Sequence, residues 1–455
     1  MNNRVECGIN LNPTETKCFS GTAKDFFEEI KNKKVSNLSN CQSLQSPLVT
    51  LCPMYAAYTM LYRIKGGVCL VHGPSGCSMH RNVVSFLYKD IREISTELCN
   101  PFENRAFTTK IVEDDIVFGA EEKLFNAILE IHNRLKPEVV WVFSTCSTAI
   151  IGDDVESVVK NVQKRTGKKV KAINCAGIKG LNWKKGYHFA YSQLMSLVEK
   201  EEKVPQLVNV INMASITKND MEEIKRVLSM AGISVRFIPY YSSIEEIRKS
   251  SSAIINAVLC GSGGRFYAKM MKEKFGMEYV SGLQPIGISE SRRWFIEIVE
   301  KTGCSKKAAA KIEEEALKSE KEFKEISARL KNKRLFISGG APRVLSILKF
   351  CLELGMKPIG IGFYHYDLEE AGRLEEILNK YGENPWIFTG QNYIEQEKFL
   401  IENKPDLFIG NRMTKNRILP LNIPTVSVNA YGNCATHLGF RGAISFAADI
   451  EKSIK

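Results

Sequence analysis

Residues 139–154 read VVWVFSTCSTAIIGDD, and this stretch decides the fold class. Its first five residues are apolar and the sixth is Ser144, which is typical of a short strand buried on both faces. Helical periodicity precedes it at Glu121–Leu135 and follows it at Asp154–Arg165, with apolar residues three and four positions apart in each. A buried strand between two amphipathic helices is the pattern of a parallel α/β unit.

The same alternation continues along most of the chain. Further strands are predicted at Val68–His72, Val170–Asn174, Leu207–Asn212, Val235–Pro239, Ala253–Leu259, Arg334–Ser338, Pro358–Gly362, Leu407–Gly410 and Thr425–Asn429. Helices are predicted between them at Met221–Ala231, Arg343–Leu354 and Leu368–Lys380, and the charged run Lys306–Lys333 is typical of an exposed helix that links two lobes. We therefore predict an α/β fold of three doubly wound, Rossmann-like domains with parallel sheets. Their expected bounds are 45–204, 205–325 and 326–455, with an N-terminal arm at 1–44.

Composition limits the class of protein. Of the 455 residues, 44% are hydrophobic and 25% are charged, which is the balance of a globular protein with ordinary cores. The longest apolar runs, such as Ala253–Cys260, are far shorter than the roughly 20 residues that cross a bilayer. The polar start, MNNRVECGIN, lacks the apolar core of a secretory signal. We expect a cytoplasmic protein that does not contact a membrane.

The charge of the chain is strongly positive. Lys and Arg number 63 against 51 Asp and Glu, a formal net charge of +12. The excess lies in short clusters such as Lys31–Lys34 and Lys164–Lys171, without aromatic residues interleaved or a recognisable nucleic-acid module. We expect no nucleic-acid partner, whereas an anionic protein partner is compatible with this charge.

The 13 cysteines form no C-x-x-C pair, which excludes zinc ribbons, thioredoxin motifs and ferredoxin-type runs. A metal cluster would therefore use cysteines that are distant in sequence. Cys77 ends a Gly-Pro-Ser-Gly turn after a strand, Cys146 follows VVWVFS, and Cys52 lies earlier in LCPMYAAYTML. Ligands of open α/β sheets bind beyond the carboxyl ends of strands. For each cysteine taken alone, a small buried apolar residue is the alternative interpretation.

Three blocks of sequence resemble a known family. VHGPSGC at residues 71–77, EDDIVFGAEEKL at 113–124 and FSTCSTAIIGDD at 143–154 are similar, in this order, to the signature blocks of nitrogenase component 1 subunits. That superfamily includes the molybdenum-iron protein, its cofactor-assembly scaffold and the dark-operative protochlorophyllide reductase. The resemblance extends to the C-terminus, is weakest before residue 45, and implies three α/β lobes per subunit.

By this resemblance Cys52, Cys77 and Cys146 are the thiolates that a subunit gives to an iron–sulfur cluster at a subunit interface. The cluster is expected to be a 4Fe–4S cluster or a larger 8Fe cluster. Because a cubane needs four ligands, three thiolates from one chain leave it incomplete. A homologous component 1 subunit, in a heterotetramer or homodimer, is expected to complete it. Electrons are expected from an ATP-dependent iron protein, since this chain has no Walker A sequence.

A second site is predicted at Cys260, where a strand ends in INAVLCGSGG. The resemblance implies that this thiolate holds one end of a larger iron–sulfur cofactor or its precursor, and a packed strand-end cysteine is the alternative. In YGNCATHLGFRG, Leu438 takes the position of the family's histidine ligand and His437 precedes it by one residue. His437 and Cys434 are both candidates in this loop. The alternative for His437 is a surface or capping residue.

Cationic side chains are predicted around the cavity that would hold the cofactor at this second site. The resemblance places Arg343, His365, Arg412 and Lys415 there, where they could donate charge-assisted hydrogen bonds to an anionic cofactor. Each taken alone is also compatible with an ordinary surface residue.

The resemblance also limits the reaction. Trp183 and Tyr187 stand where the dinitrogen-reducing members carry a glutamine and a histidine, which disfavours dinitrogen reduction. The expected function is an iron–sulfur subunit of the cofactor-assembly scaffold type, which holds and matures a cofactor precursor. The alternative is a catalytic subunit of a nitrogenase-like reductase that acts on a substrate other than dinitrogen. Whether the chain is itself an enzyme is therefore left open.

Overall fold

The computed structural model describes residues 19–32, 52–78, 106–179, 183–212, 216–261, 263–364, 368–389, 393–410, 418–428 and 436–455. Within these ranges strands and helices alternate, and the strands form three separate sheets. None of the helices in them is long and apolar enough to cross a membrane. The predicted α/β fold with parallel sheets is confirmed.

The first sheet has the strand order β3-β2-β4-β5, and its neighbouring strands are all parallel. Its strands are β2 (Gly67–His72), β3 (Ala106–Thr108), β4 (Val139–Ser144) and β5 (Val170–Ile173). Its helices are α2 (Pro53–Leu61), α3 (Ser75–Ser78), α4 (Glu113–Phe118), α5 (Glu121–Leu135), α6 (Cys146–Ile151), α7 (Val155–Thr166) and α8 (Trp183–Met195). The chain runs from β2 to β3 on one side and then returns to β4 on the other. The topological switch point, where such sheets bind ligands, therefore lies between β2 and β4.

The second sheet has the order β7-β6-β8-β9 and is also parallel. Its strands are β6 (Leu207–Ile211), β7 (Ser234–Ile238), β8 (Ile255–Val258) and β9 (Tyr279–Val280). Its helices are α9 (Lys218–Met230), α10 (Ile244–Arg248), α11 (Gly264–Phe275) and α12 (Ile288–Lys301). Thr217 and Asp220 form a capping box that starts α9. The switch point lies between β6 and β8.

The third sheet has the order β1-β12-β11-β10-β13-β14. Its strands are β1 (Ser20–Thr22), β10 (Arg334–Gly339), β11 (Lys357–Phe363), β12 (Trp386–Thr389), β13 (Leu407–Gly410) and β14 (Thr425–Ser427). The helices are α1 (Ala23–Lys31), α13 (Lys306–Leu330), α14 (Ala341–Glu353), α15 (Leu368–Tyr381), α16 (Tyr393–Asn403) and α17 (Gly439–Ile454). Strand β1 is antiparallel to β12, so part of the predicted N-terminal arm covers a sheet edge. The switch point lies between β10 and β13.

The charged run after residue 305 forms α13, as predicted, but it is not exposed all round. One face of α13 is buried, including Ala308, Ile312 and Phe323, and packs against α17. The other face carries the charges. This amphipathic pattern explains why a sequence so rich in Lys and Glu still folds onto the core. Helix α13 crosses residue 325, and the predicted domain bounds stay a prediction.

Candidate functional site

Cys77 and Cys146 lie at the switch point of the first sheet. Strands β2 and β4 are adjacent and parallel, with His72 opposite Ser144 at their carboxyl ends. Cys77 lies in α3, shortly after β2 ends, and Cys146 is the first residue of α6, which follows β4. Cys52 directly precedes α2, whose Pro53 at its first position is pre-organised for helix. Helix α2 contacts both β2 and β4, which brings the third cysteine to the same edge.

The three thiols are close enough to influence one another's ionisation. Burial raises the pKa of Cys52 and Cys146 adds to this, while backbone hydrogen bonds from Tyr55 and Met54 lower it. Burial also raises the pKa of Cys77, with further contributions from Cys52 and Cys146. These thiolates therefore repel one another. A bound cation would offset the repulsion, so metal binding here is linked to the loss of protons.

The surroundings of the thiols suit a bulky inorganic group. All three cysteines are partly exposed. Apart from its chain neighbours and the backbone of its own helix, no described atom lies within 4 Å of a Cβ placed on Gly76, beside Cys77. A Cβ on Gly177 would lie 3.7 Å from Cys146 Sγ. Glycine at these positions lets the backbone approach a ligand closely.

The donor set is three soft sulfur ligands. Within the described ranges, no three Cys, His, Asp or Glu side chains converge as they would on a single metal ion. A cluster spreads its thiolates over several iron atoms and does not require such convergence. The chemistry of the donors and the space around them fit an iron–sulfur cluster.

A fourth cysteine, which the sequence reasoning missed, lies beside this group. Cys175 follows β5, is fully buried, and its Sγ donates a weak hydrogen bond to the carbonyl of Ser144 at 3.8 Å. Burial raises the pKa of Cys175 far above its usual value, and Cys52 and Cys146 add to the increase. The thiol therefore stays protonated and packs against the site. Its position just beyond a strand end was the sequence signal that could have found it.

Cys260 follows β8, at the switch point of the second sheet. A Cβ on Gly261 would lie 3.7 Å from Pro342 Cγ in α14, and one on Gly263 would lie 3.0 Å from Tyr191 Cε2 in α8. Cys260 adds to the increase in the pKa of Tyr191 that burial causes. Segments that belong to all three sheets and their helices therefore meet near Cys260.

Aromatic side chains line the α8 side of this region. The ring of His188 stacks on Phe266 with centroids 4.1 Å apart. A Cβ on Gly263 would lie 3.2 Å from Tyr187 Cβ. The side chain of Trp183 lies outside the described part of the chain.

Arg343 and His437 belong to the part of the chain around the third sheet, and Arg343 directly follows Pro342, the neighbour of the Cys260 loop. Arg343 Nη1 donates to the carbonyl of Val428. The amide of His437 donates to Asp220 Oδ1 at 2.8 Å, and its ring is 4.7 Å from that of Phe446. His437 is 7% exposed, and this burial lowers its pKa; Asp220 opposes the shift and Arg343 adds to it.

The predicted residues of the second site are only partly described. Cys260, Arg343 and His437 lie on adjoining segments. His365, Arg412, Lys415 and Cys434 lie outside the described residues. Their roles stay predictions.

Known proteins resemble this chain over most of its length. A profile for nitrogenase component 1 type oxidoreductases matches residues 52–455. The nitrogenase iron-molybdenum cofactor biosynthesis protein NifE of Clostridium pasteurianum is 30% identical over 413 residues, which cover 89% of this chain and 87% of that protein. The nitrogenase molybdenum-iron protein alpha chain of Methanosarcina barkeri is 27% identical, with 86% of this chain and 83% of that protein covered. A solved structure, nitrogenase Cp1 at pH 5, has the same fold, with a TM-score of 0.74 at 21% identity over 92% of this chain and 91% of that chain. On this similarity, the chain belongs to the nitrogenase component 1 type oxidoreductase family.

Proposed function

We propose that this chain is an iron–sulfur subunit of a nitrogenase component 1-like complex, of the cofactor-assembly scaffold type. The placement of Cys52, Cys77 and Cys146, all partly exposed, at the switch point of the first sheet carries the proposal. It is supported by the 30% identity to a protein named for iron-molybdenum cofactor biosynthesis. A cluster bound at these thiols would supply one-electron transfer.

A homologous subunit would complete the site. Three partly exposed thiols from one chain leave a cubane without its fourth ligand. Assembly of the complex and loading of the cluster would therefore be linked, whether the partner is a second copy of this chain or a paralogue.

An exposed apolar surface beside the cysteines supports docking of an ATP-dependent iron protein. Phe118 in α4 is 85% exposed and Ile150 in α6 is 67% exposed, and the two helices are in contact. Acidic residues surround them, including the exposed Glu113, Asp114 and Glu121. A partner with apolar contacts and a basic rim would be complementary to this surface. Docking there would bring the donor over the helix that begins at Cys146.

The second region supports a releasable cofactor. Cys260 would hold the precursor by one thiolate, and Arg343 would supply positive charge. The imidazole of His437 packs on Phe446, and its amide is held by Asp220. A cofactor held at one end leaves more readily than one held at both, which is what a scaffold requires.

The second candidate is a reductase that acts on a substrate other than dinitrogen. The similarity to the nitrogenase molybdenum-iron protein alpha chain of Methanosarcina barkeri, 27% identical over 86% of this chain, favours it. The two functions differ in the fate of the cofactor. A scaffold loaded with precursor gives it up to an acceptor protein, whereas a reductase retains it through turnover.

The test is anaerobic purification of the complex with Cys77→Ala or Cys146→Ala. We expect each variant to lose the iron of the interface cluster and to associate more weakly with the partner subunit. Cys304→Ala is the matched control, because Cys304 is also partly exposed but lies just after α12, beside the second sheet. There its Sγ accepts the hydroxyl of Thr302 at 3.3 Å. If iron content and association are unchanged in both site variants, the assignment is wrong.

A further inference from the structure

A buried histidine and a buried carboxylate connect the segments that carry Cys77 and Cys146. His72 is the last residue of β2, and Asp153 follows α6. Their side chains are 0% and 3% exposed, and His72 Nε2 lies 3.0 Å from Asp153 Oδ2. The two residues are 81 positions apart in sequence.

The contacts of this pair determine where the imidazole carries its proton. His72 Nε2 faces Asp153, and a carboxylate can only accept, so Nε2 carries a hydrogen and donates it. In a neutral imidazole Nδ1 is then an acceptor, and it accepts the hydroxyl of Thr109 at 3.1 Å. The oxygen of that hydroxyl accepts the amide of Gly73, also at 3.1 Å.

Both loops and the outer surface meet at this pair. The carbonyl of His72 accepts the hydroxyl of Thr145, the residue before Cys146, at 3.0 Å. Asp153 Oδ1 accepts the amide of Ala120 at 3.0 Å, and Ala120 lies between the exposed helix α4 and α5. Each polar side-chain atom of His72 and Asp153 therefore has a hydrogen-bond partner on a different segment of the chain. Full pairing of this kind makes a buried polar network rigid.

We propose that His72 and Asp153 are a positioning pair, which fixes the loops of Cys77 and Cys146 relative to each other and to α4. The inference rests on the proposed function, since it assigns the pair a role toward the cluster ligands. Neither residue has a predicted role in holding iron. The resemblance gives ligand roles only to the cysteines of these blocks.

The main variant is Asp153→Asn. The amide oxygen of Asn can still accept from Ala120, but its NH2 group then faces His72 Nε2 in place of a carboxylate oxygen. The charge-assisted bond is lost, and the imidazole must move its hydrogen to Nδ1 to form a neutral one. We expect about tenfold faster amide exchange in residues 72–78 and 143–151 of the metal-free chain, because a buried charge-assisted bond has been removed. After anaerobic reconstitution with ferrous iron and sulfide, we expect at least a twofold loss of bound iron and an altered paramagnetic resonance spectrum.

Asp154→Asn is the matched control. Asp154 is the neighbouring carboxylate, but it caps α7 through the amide of Ser157 at 3.0 Å and does not bond His72. A conservative variant gives a further readout, because the side-chain N–H of His72→Gln can still donate to Asp153, whereas His72→Leu cannot. We expect Gln to retain more than half of the wild-type iron and Leu to behave like Asp153→Asn.

Three results decide between the explanations. If Asp153→Asn matches the wild type in exchange, iron and spectrum, the positioning role is refuted. It is also refuted if Asp154→Asn has the same defects, since these would then reflect general weakening of the loop. If Cys77→Ala binds as much iron as the wild type, the proposed function fails instead, and the exchange measurement on the metal-free chain still tests the pair.

Discussion

Gly186→Ala should separate two helices that meet beside Cys52. Gly186 lies in α8, and a Cβ placed on it would be 2.0 Å from the carbonyl oxygen of Pro53 and 2.8 Å from Ala56 Cβ. The oxygen belongs to the backbone of α2 and cannot rotate away. Helix α8 must therefore move outward by about 1 Å to restore an ordinary contact, and overpacking of this kind costs about 1–3 kcal/mol.

Helix propensity acts in the opposite direction. Alanine is favoured over glycine in a helix interior by about 1 kcal/mol. The net destabilisation expected for Gly186→Ala is therefore about 0–2 kcal/mol, against a gain of about 1 kcal/mol where the added methyl group meets no obstacle. Because α2 begins directly after Cys52, the displacement should also expose that thiol.

The assay compares thermal unfolding of the metal-free chains and the rate at which iodoacetamide alkylates Cys52. Gly372→Ala is the matched control, since Gly372 lies inside α15 and its Cβ position has no described atom within 4 Å apart from its chain neighbours and the backbone of its own helix. The control should be more stable than the wild type by about 1 kcal/mol. If Gly186→Ala is equally stabilised and Cys52 reacts at the wild-type rate, the close packing of α8 on α2 is refuted.

Three further predictions concern separate parts of the molecule. His132 is 5% exposed, its ring nitrogens have no hydrogen-bond partner among the described residues, and burial lowers its pKa. His132→Leu should therefore stabilise the chain by about 1–2 kcal/mol at pH 7. Because the pKa of His132 is lowered in the folded chain, the wild type is most stable above about pH 6.5 and loses stability as the pH falls through the folded pKa. The melting temperature should therefore change less between about pH 7.5 and 5.5 in the variant than in the wild type. Cys260→Ala should remove one pool of iron and leave the interface cluster intact; loss of all iron, or of none, would contradict separate sites. Asp220→Asn should speed amide exchange at residues 437–441, whereas the exposed Glu222→Gln should not, and equal effects would argue against the anchoring of His437.

The two strands that were predicted with their exact bounds, β4 and β13, each contain a continuous apolar run. Strand β4 has the predicted bounds because VVWVFS can only be buried on both faces. Strand β12, with the sequence WIFT, was missed because four residues between a proline and a glycine carry little periodicity. It is a strand because β11 and β1 pair with its two edges, and such pairing is not visible in local sequence.

For the candidate site, the positions of the cysteines could be predicted but their roles could not. The rule that ligands bind at the carboxyl ends of parallel strands indicated Cys77, Cys146 and Cys260. Their roles as ligands came from the family resemblance and stay predictions. The partners that hold these loops were not predictable. The contact of His437 with Asp220 joins residues 217 positions apart, and no spacing in the sequence encodes it.

One helix connects the two candidate sites. Helix α8 approaches Pro53 through Gly186 on one side and the Cys260 loop through Tyr187 and Tyr191 on the other. The separation of the two sites is therefore determined by the packing of a single rigid element and its neighbours. A large side chain at Gly186 would push α8 away from α2 and toward the Cys260 loop. In the proposed function electrons would pass between the sites, and their separation would then depend on the close packing of α8 on α2 that Gly186 allows.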